Sequence, residues 1–242
     1  MPPVADTIFN LIILLMAALI QGFFGFGYGI AAMSGLAFTQ DLIHAAGVVN
    51  ITGVLIMGRT VFRLRRHILR TLVLRMLPAA LVGVVLGVTA LRHMDGDLMI
   101  SILGLSIVAV SAWNLVKPRL RSWESPWLDR TVAVLGGLLC GAFNTGGPPF
   151  IIHIYRRPED PEVLRATIQS IFLAMGLSRL PISAAQGLLT GPVWLEAAVL
   201  APGAIVGIIL GTALARRVPA DRFRRACWIA LGLLGVALLA AG

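Results

Sequence analysis

The residues best suited to chemistry are six consecutive positions inside an apolar stretch, Asn144-Thr145-Gly146-Gly147-Pro148-Pro149. Asn and Thr cap helix starts, and Pro fits the first helical turn, where its missing N–H costs nothing. We therefore expect a short helix to begin near Pro148. Its free N–H groups and positive dipole end would form an anion site, and the two glycines would let a ligand approach the backbone closely.

A second glycine-rich segment precedes this one. Residues 22–29, Gly-Phe-Phe-Gly-Phe-Gly-Tyr-Gly, resemble residues 141–148 at an offset of 119 positions. Further landmarks recur at an offset of 124: Pro78, Gly83 and Gly87 in the first copy, and Pro202, Gly207 and Gly211 in the second. Such self-similarity predicts an internal duplication, and the spaced glycine pairs are most simply helix-packing faces.

Polar residues in the neighbouring apolar segments complete the candidate site. Arg179 lies inside the apolar segment 168–185, where a charge is costly and marks a functional candidate. The alternative is that its side chain reaches the membrane interface. Polar amides nearby could donate to substrate oxygens or join helices to one another. The predicted substrate-binding residues are Gln21, Gly25, Gly27, Tyr28, Gly29, Asn50, Asn144, Thr145, Gly146, Gly147, Pro148, Gln169 and Arg179.

The elements that must position these residues are membrane helices. The chain is 58% hydrophobic and 13% charged, whereas a soluble domain carries about 25% charged residues. Several apolar runs reach about twenty residues, the length that crosses a bilayer core of about 30 Å. The runs lack strand-like alternation, which argues against a β-barrel. The net charge of +9 comes from arginines in short clusters between apolar segments, so it does not indicate nucleic-acid binding.

The duplication divides the chain into three parts. We expect a first repeat over 1–116, a cytoplasmic linker over 117–130 and a second repeat over 131–242. Each repeat is predicted to hold a glycine-rich opening segment and three transmembrane helices. The predicted segments are 8–38, 43–62, 72–91 and 98–116, and then 131–155, 163–186, 193–215 and 222–242.

Positive charge predicts how these segments cross the membrane. Of the 20 Lys and Arg residues, 18 lie in four clusters, at 59–75, 117–130, 156–165 and 216–225. If all eight segments cross, the charge divides almost evenly between the two sides, which conflicts with the positive-inside rule. If each opening segment is a re-entrant hairpin, each repeat crosses three times and all four clusters face the cytoplasm. We therefore expect two inverted repeats with both termini outside.

The composition of the first opening segment is compatible with a hairpin. Residues 8–20 and 28–38 are each too short to span alone, and the glycines between them allow the chain to turn. The alternative is that the opening segments are long tilted helices with glycines for packing. Residues 1–6 contain no basic residue, so no cleaved signal peptide is predicted.

Sequence features of other chemistries are absent. The four histidines and two cysteines form no metal-ligand spacing. No Walker sequence indicates ATP binding, and no Gly-x-Ser-x-Gly elbow indicates a hydrolase. We predict no enzyme activity, no cofactor and no metal. His153 could couple a proton, and Glu196 is expected at the outer membrane interface.

The two glycine-rich segments carry a resemblance to a known family. With Gly146-Gly147-Pro148-Pro149 opening the second repeat, they resemble the sulfite exporter TauE/SafE family of membrane permeases, and the resemblance covers both repeats. It implies a bacterial inner-membrane carrier for small sulfur-containing anions such as sulfite or organosulfonates. Where the family usually has consecutive glycines, this chain has Gly27-Tyr28-Gly29. The tyrosine could bind the anion, narrow the site or plug it.

The leading hypothesis is a secondary transporter of a small anion by alternating access. The substrate would be held at half-helix N-termini near the bilayer midplane. The alternatives are an anion channel and a non-transporting structural membrane subunit. The expected partners are a small sulfur-containing anion and the lipid bilayer, without nucleic acid, and a homodimer is left open.

Overall fold

In a computed structural model, which describes residues 4–116, 125–154, 157–215 and 220–241, the described chain is helical and contains no strand. The first half holds α1 (Val4–Phe24), α2 (Tyr28–Leu36), α3 (Leu42–Leu64), α4 (Arg70–His93) and α5 (Gly96–Val116), with a 3-10 turn at Arg65–His67. The second half holds α6 (Pro126–Phe143), α7 (Gly147–Ile154), α8 (Pro161–Ala185), α9 (Gly191–Leu214) and α10 (Ala220–Ala241). The all-α prediction is confirmed.

Six of the described helices, α1, α3, α4, α5, α8 and α9, are long and apolar enough to cross a membrane. The apolar part of α10, Cys227–Ala240, is shorter because arginines precede it. Leucines on the outer surface, such as Leu74, Leu105 and Leu233, are 62–71% exposed. Side chains of this kind are suited to contact lipid. The chain is therefore a polytopic helical membrane protein, as predicted.

Two predicted boundaries were wrong. The first helix runs for 21 residues and includes an apolar span from Ala5 to Phe24, so it is longer than the predicted 8–20. The expectation that this part of the chain is too short to span a membrane alone was therefore wrong. The helix α6 begins at Pro126, inside the predicted linker, because Pro is accepted in a first helical turn. Residues 117–124 of that linker lie outside the described part of the chain.

The first opening segment folds back on itself as a helical hairpin. Gly35 in α2 faces Ile13 in α1. Just after α2, the Thr39 hydroxyl donates to the side-chain oxygen of Asn10 at 2.9 Å. The chain thus returns to the level of Asn10 before α3 begins.

The second opening segment forms a hairpin in the same way. Gly136 in α6 faces the ring of Phe150 in α7. The buried carboxylate of Asp129, near the start of α6, accepts a hydrogen bond from Arg157 at 2.8 Å and lies 2.5 Å from His153 Nε2. Arg75 on α4 donates to the other carboxylate oxygen at 3.2 Å. This cluster holds the two arms of the hairpin together at their open end.

Glycines let each hairpin pack closely along a helix of the other half. On α9, Gly203, Gly207 and Gly211 face Leu11, Leu15 and Leu19 of α1 in that order, so the two helices run parallel. On α4, Gly83 and Gly87 face the backbone of Leu138 and Ala142 in α6, again in parallel. The two spaced glycine pairs are helix-packing faces, as predicted.

Two further helix pairs run in opposite directions. In the first pair, α3 and α8, Asn50 contacts Gly176 and Ala46 contacts Arg179. In the second pair, α5 and α10, Gly104 contacts Leu239 and Ser111 contacts Gly232. Together these pairs bring the tips of both hairpins into the middle of the bundle, beside α3 and α8.

Candidate functional site

The tips of the two hairpins meet around one cavity. Its lining combines the first residues of α2 and α7 with one face of α3 and two residues of α8. Eight predicted binding residues line it: Gln21, Gly27, Tyr28, Gly29, Asn50, Asn144, Gly146 and Gly147. Its free volume is about 40 Å³, and a single water needs about 10–15 Å³ on this measure. The cavity therefore admits a ligand of only a few heavy atoms.

Both hairpins turn through a left-handed residue at the end of their first helix. Gly25 ends α1 with φ 83°, and Asn144 ends α6 with φ 56°. Asn tolerates this conformation better than other side chains do. Asn144 is therefore the C-cap of α6, so of the two residues offered as a cap for the following helix, Asn or Thr, the asparagine was wrong. That helix, α7, begins at Gly147, in agreement with the expected start near Pro148.

The two tips are in direct backbone contact. A Cβ added at Gly29, in the first turn of α2, would overlap the carbonyl oxygen of Asn144. Only glycine permits this approach. The start of α2 and the turn before α7 are thereby held against each other at the edge of the same cavity.

Gln21 supplies a side-chain amide to the cavity. Its oxygen accepts a hydrogen bond from the backbone N–H of Tyr28 at 3.0 Å. This bond fixes which end of the amide faces α2. The opposite end, Nε2, is buried and has no protein partner among the described residues. A buried donor of this kind is costly unless something accepts from it, so Gln21 Nε2 is available to a ligand.

The Tyr28 hydroxyl is occupied by the protein. It lies 2.6 Å from the hydroxyl of Thr52, which lies 2.7 Å from the backbone oxygen of Val48. A threonine hydroxyl has one proton, and the carbonyl can only accept. The Thr52 proton therefore goes to Val48, and Tyr28 donates its own proton to Thr52. The buried tyrosine ring narrows the cavity, while its hydroxyl proton is not available to an anion.

Arg179 is buried away from the cavity lining and binds backbone carbonyls. Its guanidinium donates to Gly141 at 2.8 Å and to Ala142 at 3.5 Å, at the end of α6. It also donates to Ala46 of α3 at 2.9 Å. The Asn144 amide donates to the same Ala46 oxygen at 2.8 Å. Carbonyls at a helix C-terminus lack helical partners and carry partial negative charge, so Arg179 satisfies and neutralises the end of α6.

The end of α1 is held in a corresponding way from the same helix, α8. Arg165 donates to the backbone oxygen of Gly22 at 3.0 Å. The side-chain nitrogen of Gln169 donates to the backbone oxygen of Gly25. The sequence assigned Arg165 to a cytoplasmic cluster and did not identify this contact.

Of the other predicted site residues, Gly25, Thr145 and Gln169 lie outside the cavity lining, as Arg179 does. Pro148 lies in the first turn of α7. The lining residues that the sequence did not identify are Ile30, Val49, Gly53, Val54, Met57, Cys140, Phe172 and Gly176. Those on α3 recur at helical spacing from Asn50, so the face of that helix could have been extended from the predicted residue.

Paired broken helices whose starts face a common cavity are the site plan of secondary transporters. The chain belongs to the sulfite exporter TauE/SafE family, whose model matches residues 10–238. It is therefore a membrane transporter and not an enzyme, and the resemblance drawn from the sequence is confirmed.

Two curated relatives support this assignment. The chain is 30% identical to the probable sulfite/organosulfonate exporter TauE of Cupriavidus necator over 205 residues. The alignment covers 81% of this chain and 77% of that protein. The chain is 28% identical to the probable inner membrane transporter protein TsaS of Comamonas testosteroni over 167 residues. This alignment covers 67% of this chain and 69% of that protein. No solved structure gives a significant match.

Proposed function

We propose that this protein is a secondary transporter of small sulfur-containing anions in the bacterial inner membrane, with the cavity at the hairpin tips as its binding site. The observation that carries the proposal is the unpartnered Nε2 of Gln21 in a cavity bordered by the starts of α2 and α7. Helix starts present free N–H groups and a positive dipole end, which favour anions. The name of the Cupriavidus necator relative, a sulfite/organosulfonate exporter, supports the same ligand class.

The chemistry of the lining indicates how an anion would be held. All the lining side chains are neutral. An anion would accept hydrogen bonds from backbone N–H groups and the Gln21 amide, with no salt bridge to break on release. Binding that is weak enough to reverse is what conduction and transport require. The free volume of about 40 Å³ suits sulfite or a small sulfonate group.

The first turns of α2 and α7 do not offer the same number of backbone N–H donors. The second helix, α7, begins Gly147-Pro148-Pro149, and proline has no N–H. The first, α2, begins Tyr28-Gly29-Ile30, where each residue has an N–H, and among the described residues only the N–H of Tyr28 has a partner, Gln21. We infer that α2 supplies most of the hydrogen bonds to the anion.

The directions of the helices support two inverted repeats. In such a plan the corresponding helices α3 and α8 must cross in opposite directions, and so must α5 and α10, which is the observed relation. The same plan requires α1 to run parallel to α9 and α4 to α6, as they do. With re-entrant hairpins, the four basic clusters and the linker over 117–130 face the cytoplasm and both termini face outside. Alternating access would then move one repeat against the other around the cavity.

Ligand-dependent stability of the purified protein tests the proposal. We expect sulfite and small organosulfonates to raise the melting temperature, because a ligand that binds only the folded state stabilises it. Chloride at equal ionic strength should not. Saturable exchange of [35S]sulfite in proteoliposomes would then distinguish a carrier from a channel, which conducts without saturable exchange. Absence of both a shift and transport for every sulfur anion would reject the proposal.

A further inference from the structure

Glu196 on α9 is an acidic residue within a membrane-spanning helix, and three helices meet at its carboxylate. Its side chain is 9% exposed, and its Oε2 lies 2.7 Å from Nε2 of His44 on α3. Its Oε1 accepts a hydrogen bond from the Asn10 amide of α1 at 3.1 Å. The sequence predicts this residue at the outer membrane interface, and the structure places it near the start of α9 in a part-buried polar network. An ionisable group in such a position is a functional candidate by default.

The orientation of the Asn10 amide is fixed. Its oxygen accepts from the Thr39 hydroxyl at 2.9 Å, so its nitrogen is the group that faces Glu196. The Gln40 amide, oriented with its nitrogen toward the carboxylate, donates to both oxygens at 3.1 and 3.3 Å. Every contact on Glu196 from α1 and from the loop between α2 and α3 is therefore a donor, and the network is suited to an ionised carboxylate.

Adding a proton to Glu196 changes this network. The protonated oxygen becomes a donor, and on Oε1 it faces the Asn10 N–H, which it cannot bond, so that contact must break. On Oε2 it can bond His44 Nε2 only if that nitrogen carries no proton, and the ion pair with a protonated His44 is lost. No other bond forms or breaks, and the proton comes from water.

The buried carboxylate at the open end of the other hairpin is less suited to this exchange. Asp129 contacts the guanidinium groups of Arg75 and Arg157. Arginine keeps its charge at all physiological pH values, so protonating Asp129 would leave two cations without their partner. Among the described residues, Glu196 has one ionisable partner, His44, and an imidazole, unlike a guanidinium, can exist without charge.

The other charged groups around the pair are exposed. Asp41, at the N-cap of α3, accepts from the backbone N–H of His44 at 3.1 Å and lies at the surface. Asp6, in the first turn of α1, is exposed as well. Thr7, His44 and Glu196 border a cavity of about 380 Å³, which is large enough to hold water beside the pair.

A series of residue contacts also joins the Glu196–His44 pair to the anion cavity. One turn from Glu196, Val193 packs on Gly47 of α3. The neighbouring Ala46 carbonyl holds Asn144 and Arg179 at the tip of the second hairpin. A change in the packing of α9 on α3 would therefore alter the contacts of the residues next to the anion cavity.

We propose that the Glu196–His44 pair is a proton-binding site, and that Glu196 takes up and releases one proton in each transport cycle. The inference rests on the proposed function, because a proton can be coupled only if an anion is carried. It identifies the proton as the coupling ion.

The test is [35S]sulfite accumulation in proteoliposomes with an imposed pH gradient, compared with sulfite exchange without a gradient. With one proton per anion, a gradient of one pH unit changes the accumulation ratio by up to about tenfold. We expect Glu196→Gln, which keeps an oxygen acceptor for Asn10, to retain exchange within threefold and to lose the response to the gradient. Asp6→Asn, which removes an exposed charge nearby, should respond like the parent protein. Protein-free liposomes measure the passive entry of sulfite.

The two proposals fail in different ways. No sulfite transport by the parent protein rejects the proposed function. Transport that ignores the pH gradient, or a Glu196→Gln protein that responds like the parent, overturns the proton site. If Glu196→Gln is folded by its melting curve but inactive in exchange, His44→Gln decides: a retained response to the gradient overturns the proposal, and a lost response with exchange intact supports it.

Discussion

Arg165 and Arg179 lie on the same helix, α8, and each donates to backbone carbonyls at the end of one broken helix. Arg165 binds Gly22 of α1, and Arg179 binds Gly141 and Ala142 of α6. In a bilayer no water is available to satisfy carbonyls where a helix breaks, so another group must do so. The two arginines allow both hairpin tips to lie inside the bundle, where the proposed anion cavity lies beside them.

Replacing Arg179 should destabilise the fold. Hydrogen bonds to a charged group contribute about 1.5–3 kcal/mol each, so we expect Arg179→Met to lower the free energy of unfolding by about 3 kcal/mol. Denaturant titration in detergent micelles measures this loss. Arg92→Met, which removes an exposed arginine, should leave stability nearly unchanged. A stable Arg179→Met protein that no longer binds sulfite would show instead that Arg179 contacts the anion.

Removing the free amide of Gln21 should weaken anion binding. Gln21→Met keeps the length of the side chain and removes its nitrogen, together with the oxygen that accepts from the Tyr28 N–H. We expect the sulfite dissociation constant to rise about tenfold or more, as for the loss of one hydrogen bond to a charge. Titrated thermal shifts give this constant. Gln186→Met, at a half-buried glutamine outside the cavity, is the matched control. Unchanged affinity in Gln21→Met would mean that the anion does not use this amide.

Two substitutions at Tyr28 should separate its hydroxyl from its ring. Since the hydroxyl donates to Thr52, Tyr28→Phe should bind sulfite within about twofold of the parent and lose about 1 kcal/mol of stability. Tyr28→Ala removes the ring from the cavity, so taurine and sulfoacetate should gain affinity relative to sulfite. Thermal shifts with each anion report both effects. A large loss of sulfite binding in Tyr28→Phe would contradict the hydrogen-bond assignment.

Cys140 offers a chemical reporter, because it lines the cavity and is a free thiol. In a Cys227→Ser background, we expect methanesulfonate, which does not itself react with maleimides, to slow the alkylation of Cys140 by N-ethylmaleimide at least threefold. Chloride at the same concentration should not protect. Labelling in a protein that also carries Cys140→Ser measures the background. Equal alkylation rates with and without methanesulfonate would place the anion elsewhere.

The inverted topology predicts the side of the membrane for single residues. In a Cys140→Ser, Cys227→Ser background, cysteines introduced at positions 160 and 220 should both react from the cytoplasm, because each lies at the start of a helix in a basic cluster. A cysteine at position 95, between α4 and α5, should react from outside. Membrane-impermeant labelling of oriented vesicles measures this, and an outside reaction at 160 or 220 would exclude two re-entrant hairpins.

The sequence by itself determined that the chain lies in a lipid bilayer, that it is helical, and where its helices are interrupted. Apolar runs of spanning length admit only a membrane-embedded helical bundle. Glycine and proline restrict where a helix can begin or end, whatever surrounds it. For these reasons the helix starts at Tyr28 and Gly147 and the packing role of Gly207 were predictable from local chemistry.

Only the tertiary structure decided which polar groups have partners. Arg179 is an equally plausible anion ligand in sequence, but the carbonyls of Gly141 and Ala46 surround its guanidinium. The Tyr28 hydroxyl is committed to Thr52, while Gln21 keeps a free donor. A hydrogen bond joins residues that are distant in the chain, and a side chain's availability depends on what else has reached it. That information exists only once the helices have packed.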